Sequence, residues 1–296
     1  TANSNVHLTL WAEYGTVVKG WRDVGSDGDG RFWADIYDVA GNCCVGISPG
    51  DTLELSDGAQ TVVIPITEIS GVVDSAEDTF SGHVSGAACP ASVRVDIWSP
   101  FWAEGADILT DENCDYFYDF SPNYDVGVGQ WANIWYRMPD GHSLGAVFSE
   151  LRLDADQTGD WVWGIVAPNA TVNFPLRDPD GNVKAEREVL TKDDGSYAFS
   201  FEADLAFGDT LEGAYNPSAS LPLLLSATPD TDRDTVSGTA VPGSYLWLDV
   251  WDRDSGAHRE FIVDETGNWS ASFAGEFDLR PGDEGHVHTE GRDGHE

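Results

Sequence analysis

The stretch VSGTAVPGSYLWLDV, residues 236–250, has two relatives earlier in the chain: VSGAACPASVRVDIW at 84–98 and VWGIVAPNATVNFPL at 162–176. Written as V-x-G-x-x-x-P, the three align on Pro90, Pro168 and Pro242, which are 78 and 74 residues apart. A recurrence of this length marks a tandem array of similar units. After each proline the apolar residues alternate: Val93, Val95 and Ile97, then Val172, Phe174 and Leu176, then Leu246, Leu248 and Val250. Period-two alternation is the pattern of a strand with one buried face.

Beyond these strands, two further marks occur four times. One is a turn with an aromatic residue two places past its pivot: Gly30 to Phe32, Asp115 to Phe117, Gly195 to Tyr197 and Gly267 to Trp269. The other is the loop glycine of SPGDTLEL, GVGQWANI, AFGDTLEG and RPGDEGHV, namely Gly50, Gly129, Gly208 and Gly282. Each of these glycines is expected at positive φ before a strand. Asp-rich segments such as RDPDGN and DRDSG supply reversals, and capped helical periodicity is missing throughout.

The expected fold is therefore all-β, a tandem array of four small Ig-like or transthyretin-like β-sandwich modules at 1–72, 73–153, 154–227 and 228–296. A unit of this size buries only about 60% of its unfolded surface, so neighbours are expected to support one another as in a quasi-linear array. The first module lacks the V-x-G-x-x-x-P strand. In the last, DGHE at 293–296 matches DGHS at 140–143, yet only the second module continues, through LGAVFSELRL. An absent first strand and an absent last strand would leave edges open to another chain.

Fifteen Lys and Arg against 52 Asp and Glu give a formal net charge of −37. That charge repels nucleic acid and anionic membranes and excludes both as partners. It is best read as solvated turns of a secreted protein, with low ionic strength or EDTA expected to lower the melting temperature. The strongest apolar run, LPLLLSA at 221–227, is far short of the roughly 18–20 residues of a membrane helix, so no membrane span is expected. The chain opens on Thr1 without a charged-then-apolar leader, which fits a processed, exported protein or a cut piece. Cys43, Cys44, Cys89 and Cys114 have neither CxxC nor zinc-finger spacing and are read as disulfides of an oxidising compartment. Cys89 and Cys114 fall near one end of one module and are the preferred pair, leaving Cys43 and Cys44 without an assigned partner.

The order V-x-G, proline, alternating strand, D-x-D-G, a DDGSY or ETGNW turn and a PGD loop resembles tandem bacterial Ig-like repeats, including carboxypeptidase-regulatory-like and Cna-B-like β-sandwiches. The resemblance covers all four modules and is carried by turn chemistry. It implies a spacer, stalk, adhesin or fibre component outside the cell. Some Cna-B modules carry a Lys–Asn isopeptide bond. Lys19, Lys184 and Lys192 show no shared repeat position in the sequence, which argues against such a bond here.

Catalytic patterns are weak. GISPG at 46–50 matches G-x-S-x-G, but Ser48 lies in the repeated loop rather than between a strand and a helix. Among so many acids, a pair of carboxylates carries no information. Asp23, Asp27 and Asp29, and likewise Asp230, Asp232 and Asp234, resemble pieces of oxygen-rich Ca2+ loops without completing one, so Ca2+ is a candidate ligand. His286 and His288, two residues apart on a strand, can share a transition metal, although a polar terminal strand is the simpler reading. Trp98, Trp247 and Trp251 are expected to face outward, where they can pack against a partner or stack on a sugar. The reading that follows is a non-enzymatic extracellular structural protein. It is expected to be a rod of β-sandwiches within a fibre, sheath, surface layer or adhesive stalk, self-associating or meeting other surface proteins through β edges and exposed Trp. The alternative is a glycan-binding or accessory region of a larger secreted enzyme.

Overall fold

The computed structural model describes residues 2–12, 15–99 and 102–296, and its strands pair antiparallel throughout. The first module is a single sheet. Its strands are β1 (Asn5–Ala12), β2 (Val17–Gly25), β3 (Tyr37–Asp38), β4 (Thr52–Ser56) and β5 (Thr61–Pro65), ordered β3-β2-β1-β4-β5. Val6, Leu8 and Leu10 form the buried face of β1, and Ile36 is buried as well. Residues 31–36, which follow the first aromatic turn, form no strand. The module thus departs from the expected sandwich by more than one strand: among the described residues no second sheet forms.

The second module is a sandwich. It contains β6 (Ile69–Asp74), β7 (Thr79–Val84), β8 (Ser92–Ser99), β9 (Trp102–Leu109), β10 (Asp115–Asp119), β11 (Trp131–Arg137) and β12 (Ser143–Phe148). One sheet is β10-β7-β6 and the other β12-β11-β8-β9, and Phe80, Val93, Val95, Ile97 and Ile134 fill the space between them. The third module repeats this plan with β13 (Asp154–Asp156), β14 (Trp161–Ile165), β15 (Thr171–Arg177), β16 (Val183–Leu190), β17 (Ser196–Ser200), β18 (Thr210–Gly213) and β19 (Ala219–Pro222), as β13-β14-β17 on β16-β15-β18-β19. The fourth has β20 (Ser226–Asp230), β21 (Thr235–Thr239), β22 (Tyr245–Trp251), β23 (Gly256–Ile262), β24 (Asn268–Ser272) and β25 (Glu284–Glu290), as β20-β21-β24 and β23-β22-β25. Among the described residues, β25 has no outer neighbour where β11 has β12 and β18 has β19.

The divisions expected after residues 72 and 227 fall inside β6 and β20. Each of these strands pairs along its length with the strand that follows it. A composition change marks the neighbourhood of a junction, while the first strand belongs to the unit it pairs with.

Cross-strand pairing also corrects the register of the repeat. Gly164 faces Tyr197 and Gly238 faces Trp269, while the residue facing Tyr116 is Gly82, four positions before the Gly86 of the aligned motif. At each of these glycines an added β-carbon would strike a carbonyl of the neighbouring strand, that of Ser70, Arg152 or Ser226. The pivot of the second module's aromatic turn is accordingly Cys114 (φ 71°), matching Gly30, Gly195 and Gly267 at φ 76–81°. Tyr116 is its buried aromatic, 2% exposed, whereas Phe117 is 63% exposed. In a strand, one step of register moves a side chain to the opposite face.

The aspartates that dominate the composition work in these turns. Oδ1 of Asp27 accepts the N–H groups of Asp29 and Arg31, and Asp111 does the same for Asn113 and Asp115. The GD loop is likewise capped four times, with the side-chain oxygens of Asp51, Gln130, Asp209 and Asp283 accepting N–H groups from Ser48, Gly127, Ala206 and Arg280. Gly50, Gly208 and Gly282 in these loops have positive φ, but Gly129 does not. Lys19 and Lys184 occupy corresponding places after all. They pair with the nearly buried Asp51 and Asp209 at 2.7 and 2.6 Å.

Candidate functional site: a junction shared by three modules

The linker between the second and third modules, residues 149–153, reads SELRL. Leu151 and Leu153 enter the core of the third module, and Val128 from the second packs against the same core. Arg152, between the leucines, is also buried, at 4% exposure. Its backbone carbonyl accepts the Tyr197 hydroxyl at 2.6 Å. The guanidinium lies 4.4 Å over the ring of Trp131. It pairs with Asp154 at 2.8 Å, Glu296 at 3.1 Å and Glu290 at 3.7 Å. An uncompensated buried charge is costly, which makes this set a constraint on geometry.

Two of the acids come from the fourth module. After β25, Gly291 N–H donates to the carbonyl of His295 and Gly294 N–H to that of Gly291. Met138–His142 and Gly141–Met138 make the same two bonds after β11, so residues 291–296 form the hairpin turn that DGHE shares with DGHS. Here the turn docks on the second and third modules. Gly129 N–H donates to the Asp293 carbonyl at 2.7 Å and the Gln130 side-chain amide to that of Arg292 at 3.1 Å. Leu153 N–H donates to Nδ1 of the buried His295 at 3.2 Å. Glu296 exchanges backbone bonds with Leu153 and Ala155, in the manner of a short extra strand beside β13. A β-carbon on Gly127 would lie 2.6 Å from Asp293 Cα, and one on Gly294 would strike the backbone of Gln130.

One cation faces three carboxylates here, and the protonation equilibria respond. Burial pushes the Glu290 carboxyl up to about 7, against the pull of Arg152. It pushes Asp154 up to about 6, again opposed by Arg152. Burial also lowers the His295 imidazole below its usual range, favouring the neutral ring that accepts the Leu153 N–H. The arrangement is a lock between modules, and sequence reasoning missed it. Its one local signal is Arg152 itself, a charge set between two core leucines where the other modules have Ser70 and Ser226.

The residues singled out in the sequence are distributed differently. Cys89 and Cys114 are joined by a disulfide, Cα–Cα 5.3 Å, and Cys43 is joined to its neighbour Cys44. The aspartate triads do not gather. Among the described residues, the one group of three Asp, Glu, His or Cys ligands within reach of a single ion is Asp35 with Cys43 and Cys44, whose sulfurs are bonded to each other. Asp23 pairs with His7 at 2.7 Å, and Asp27, as above, caps the turn that holds Asp29. Asp230 accepts the Asp232 N–H and pairs with Arg233. Asp234 holds Leu279 N–H, as Asp160 holds Leu205 and Asp78 holds Val126, each from positive φ. Asp27, Asp230 and Asp234 thus serve as caps of their turns.

Trp98 is 48% exposed on the second module, in line with the outward reading. Trp247 and Trp251 face outward from the fourth, but each is engaged by its own sheet. Trp247 stacks on His288 at 4.6 Å, and Trp251 donates to Glu284 at 3.0 Å. Among the described residues, no helix is long and apolar enough to cross a membrane.

No family model matches this chain. No curated protein matches it either. Among solved structures it aligns with a tetra-tandem repeat from the extending region of a large adhesion protein, at 17% identity, covering 99% of this chain and 89% of that one, TM-score 0.21. It also aligns with a Ca2+-stabilised adhesin by which an Antarctic bacterium binds ice (14% identity, 97% and 89% covered, TM-score 0.20). A third alignment is to the B1B2 repeats of the collagen-binding protein of Staphylococcus aureus (11% identity, 97% and 87% covered, TM-score 0.14). At such TM-scores these alignments carry no argument about function, which rests on the chain's own geometry.

Proposed function

We propose that the chain is a non-enzymatic structural segment of an extracellular or cell-surface protein, in which modules two to four act as one mechanical unit. The observation that carries this reading is the lock at Arg152. Simple tandem arrays contact nearest neighbours alone, whereas here residues 291–296 of the fourth module bond to Gly129 and Gln130 of the second. A device that joins next-nearest units suits a part that transmits load or holds a fixed spacing. Disulfides in two modules fit an oxidising compartment.

The experiment is thermal and chemical unfolding of the full chain, with hydrogen exchange followed by module. Modules two to four unfolding in one transition, with shared protection at 127–130, 151–155 and 291–296, supports the reading. Independent unfolding of the fourth module overturns it. A glycan-binding role, the second reading, draws on the half-exposed Trp98. Because Trp247 and Trp251 are held by His288 and Glu284, a sugar would have to displace those contacts. A glycan array with Trp98→Ala and Trp247→Ala decides between the two readings.

A further inference from the structure

The outer face of the β23-β22-β25 sheet collects three of the chain's seven histidines. Asp249 of β22 lies opposite His258 on one side and His286 on the other. One step along, Trp247 lies between Glu260 and His288. The rings of His286 and His288 share a face and are 5.2 Å apart. His258 uses both ring nitrogens on acids, bonding Asp249 and Glu260 at 2.7 Å each. His288 differs: its Nδ1 is buried without a hydrogen-bond partner, while its ring lies nearly flat on Trp247, 18° from parallel. A buried polar atom left unsatisfied is uncommon in native proteins and points to a missing partner. A cavity of about 490 Å3 borders His286 and His288 together with His295 and Glu296.

We propose that His286, His288 and Asp249 form a binding site for one divalent transition-metal ion of the Zn2+ or Cu2+ class. Two imidazoles at i and i+2 on a strand, with a carboxylate opposite, supply the nitrogen-rich donor set these ions prefer over the all-oxygen set of Ca2+. The three donors are not yet within reach of one point. Asp249 closes the set by exchanging its bond to His258 for the ion, a rotation on an exposed surface, and His258 keeps its bond to Glu260. Water completes the coordination. The site adjoins the lock, since Nε2 of His288 lies 3.9 Å from Oε1 of Glu296, while His286 and Asp249 take no part in the lock.

The test uses the full chain with Zn2+ in calorimetry and Cu2+ in electron paramagnetic resonance, each with excess Mg2+ to occupy carboxylates. One ion per chain is expected, with nitrogen hyperfine structure from two imidazoles. His286→Ala and His288→Ala should each weaken Zn2+ by about tenfold or more, the order seen when a metal site loses a supporting contact. Asp249→Asn should also weaken it by about tenfold or more, and His258→Ala by clearly less than any of these three, since His258 is a neighbour and not a ligand. His286 is exposed, so its variant keeps the test valid even if His288→Ala disturbs Trp247 and fails to fold. A Cu2+ signal with oxygen ligands alone, Zn2+ affinity unchanged in His286→Ala, or binding abolished by His258→Ala would overturn the proposal.

Discussion

Gly129 and His295 touch so closely that a β-carbon on the glycine would overlap the imidazole Nδ1. This contact joins the second module to the fourth across a sequence separation that no local pattern reveals. Gly129→Ala forces the hairpin turn off its seat and costs about 1–3 kcal/mol, the usual range for overpacking. Limited proteolysis and hydrogen exchange at 291–296 read the release. Gly50→Ala, in the corresponding loop of the first module, should leave that segment protected.

Arg152→Ala strands Glu290 and Asp154 in a buried site, and removing one partner of a buried pair costs about 3–5 kcal/mol. Adding Glu290→Gln and Asp154→Asn to the same chain should recover part of the loss, because the stranded charges are gone. Urea midpoints of the single and triple variants measure this. Equal midpoints would show that the lost packing against Trp131 matters more than charge.

The lock also sets a pH dependence. Folded Glu290 and Asp154 bind protons more tightly than their unfolded forms, so their contribution is complete below the unfolded values near pH 4. It is lost as pH rises through about 6 for Asp154 and about 7 for Glu290. Arg152, Glu296 and Asp293 surround Glu290, and the acids among them raise it further. The melting temperature should therefore fall between about pH 4 and pH 7, and Glu290→Gln should flatten the upper part of that fall. At the acid end the turn aspartates act oppositely. Backbone and Asn side-chain donors hold Asp38, Asp111 and Asp178 below the usual range, so their contribution is lost as pH drops through those lowered values.

Tyr116→Phe removes a buried hydroxyl that donates to the Ser70 carbonyl at 2.8 Å, a loss of about 1 kcal/mol. Phe117→Ser, one position on and facing solvent, should be near neutral. The reverse order of effects in thermal melts would restore the turn register that places Phe117 inside.

A net charge of −37 repels itself at low salt, and its screening length shrinks to about 10 Å at 0.1 M. The melting temperature should rise with NaCl. At matched ionic strength, CaCl2 should give no further gain if the aspartate triads are turn caps alone. A Ca2+-specific increase abolished by Asp27→Ala or Asp234→Ala would return an ion to those loops.

The strands were legible because alternation such as Val93, Val95 and Ile97 reports a local constraint that each strand must satisfy by itself. The loops were legible for the same reason, since Asp51 and Asp209 cap their own turns. Register was harder: Gly82 and Gly86 each follow an apolar residue and a serine, Phe80-Ser81 and Val84-Ser85, and only the partner strand shows which glycine faces Tyr116. The lock was not legible as a whole, because Glu290 and His295 lie far along the chain from Arg152, and of the three only Arg152, set between two core leucines, departs from its local pattern. Gly129 illustrates the difference. Its place in the repeated loop makes it a turn glycine like Gly50, but its backbone has no positive φ, and the room it leaves is taken by another module.

The pairing of Lys19 with Asp51 and Lys184 with Asp209 has a practical side. Both amines are held against carboxylates that are nearly out of solvent, which leaves Lys192 as the exposed lysine without such a partner among the three. Among the lysine side chains, an amine-reactive dye or surface ester would therefore favour Lys192 on the third module. Molecules tethered through that side chain alone would share one orientation, and a pulling experiment on them would load the array from a known point.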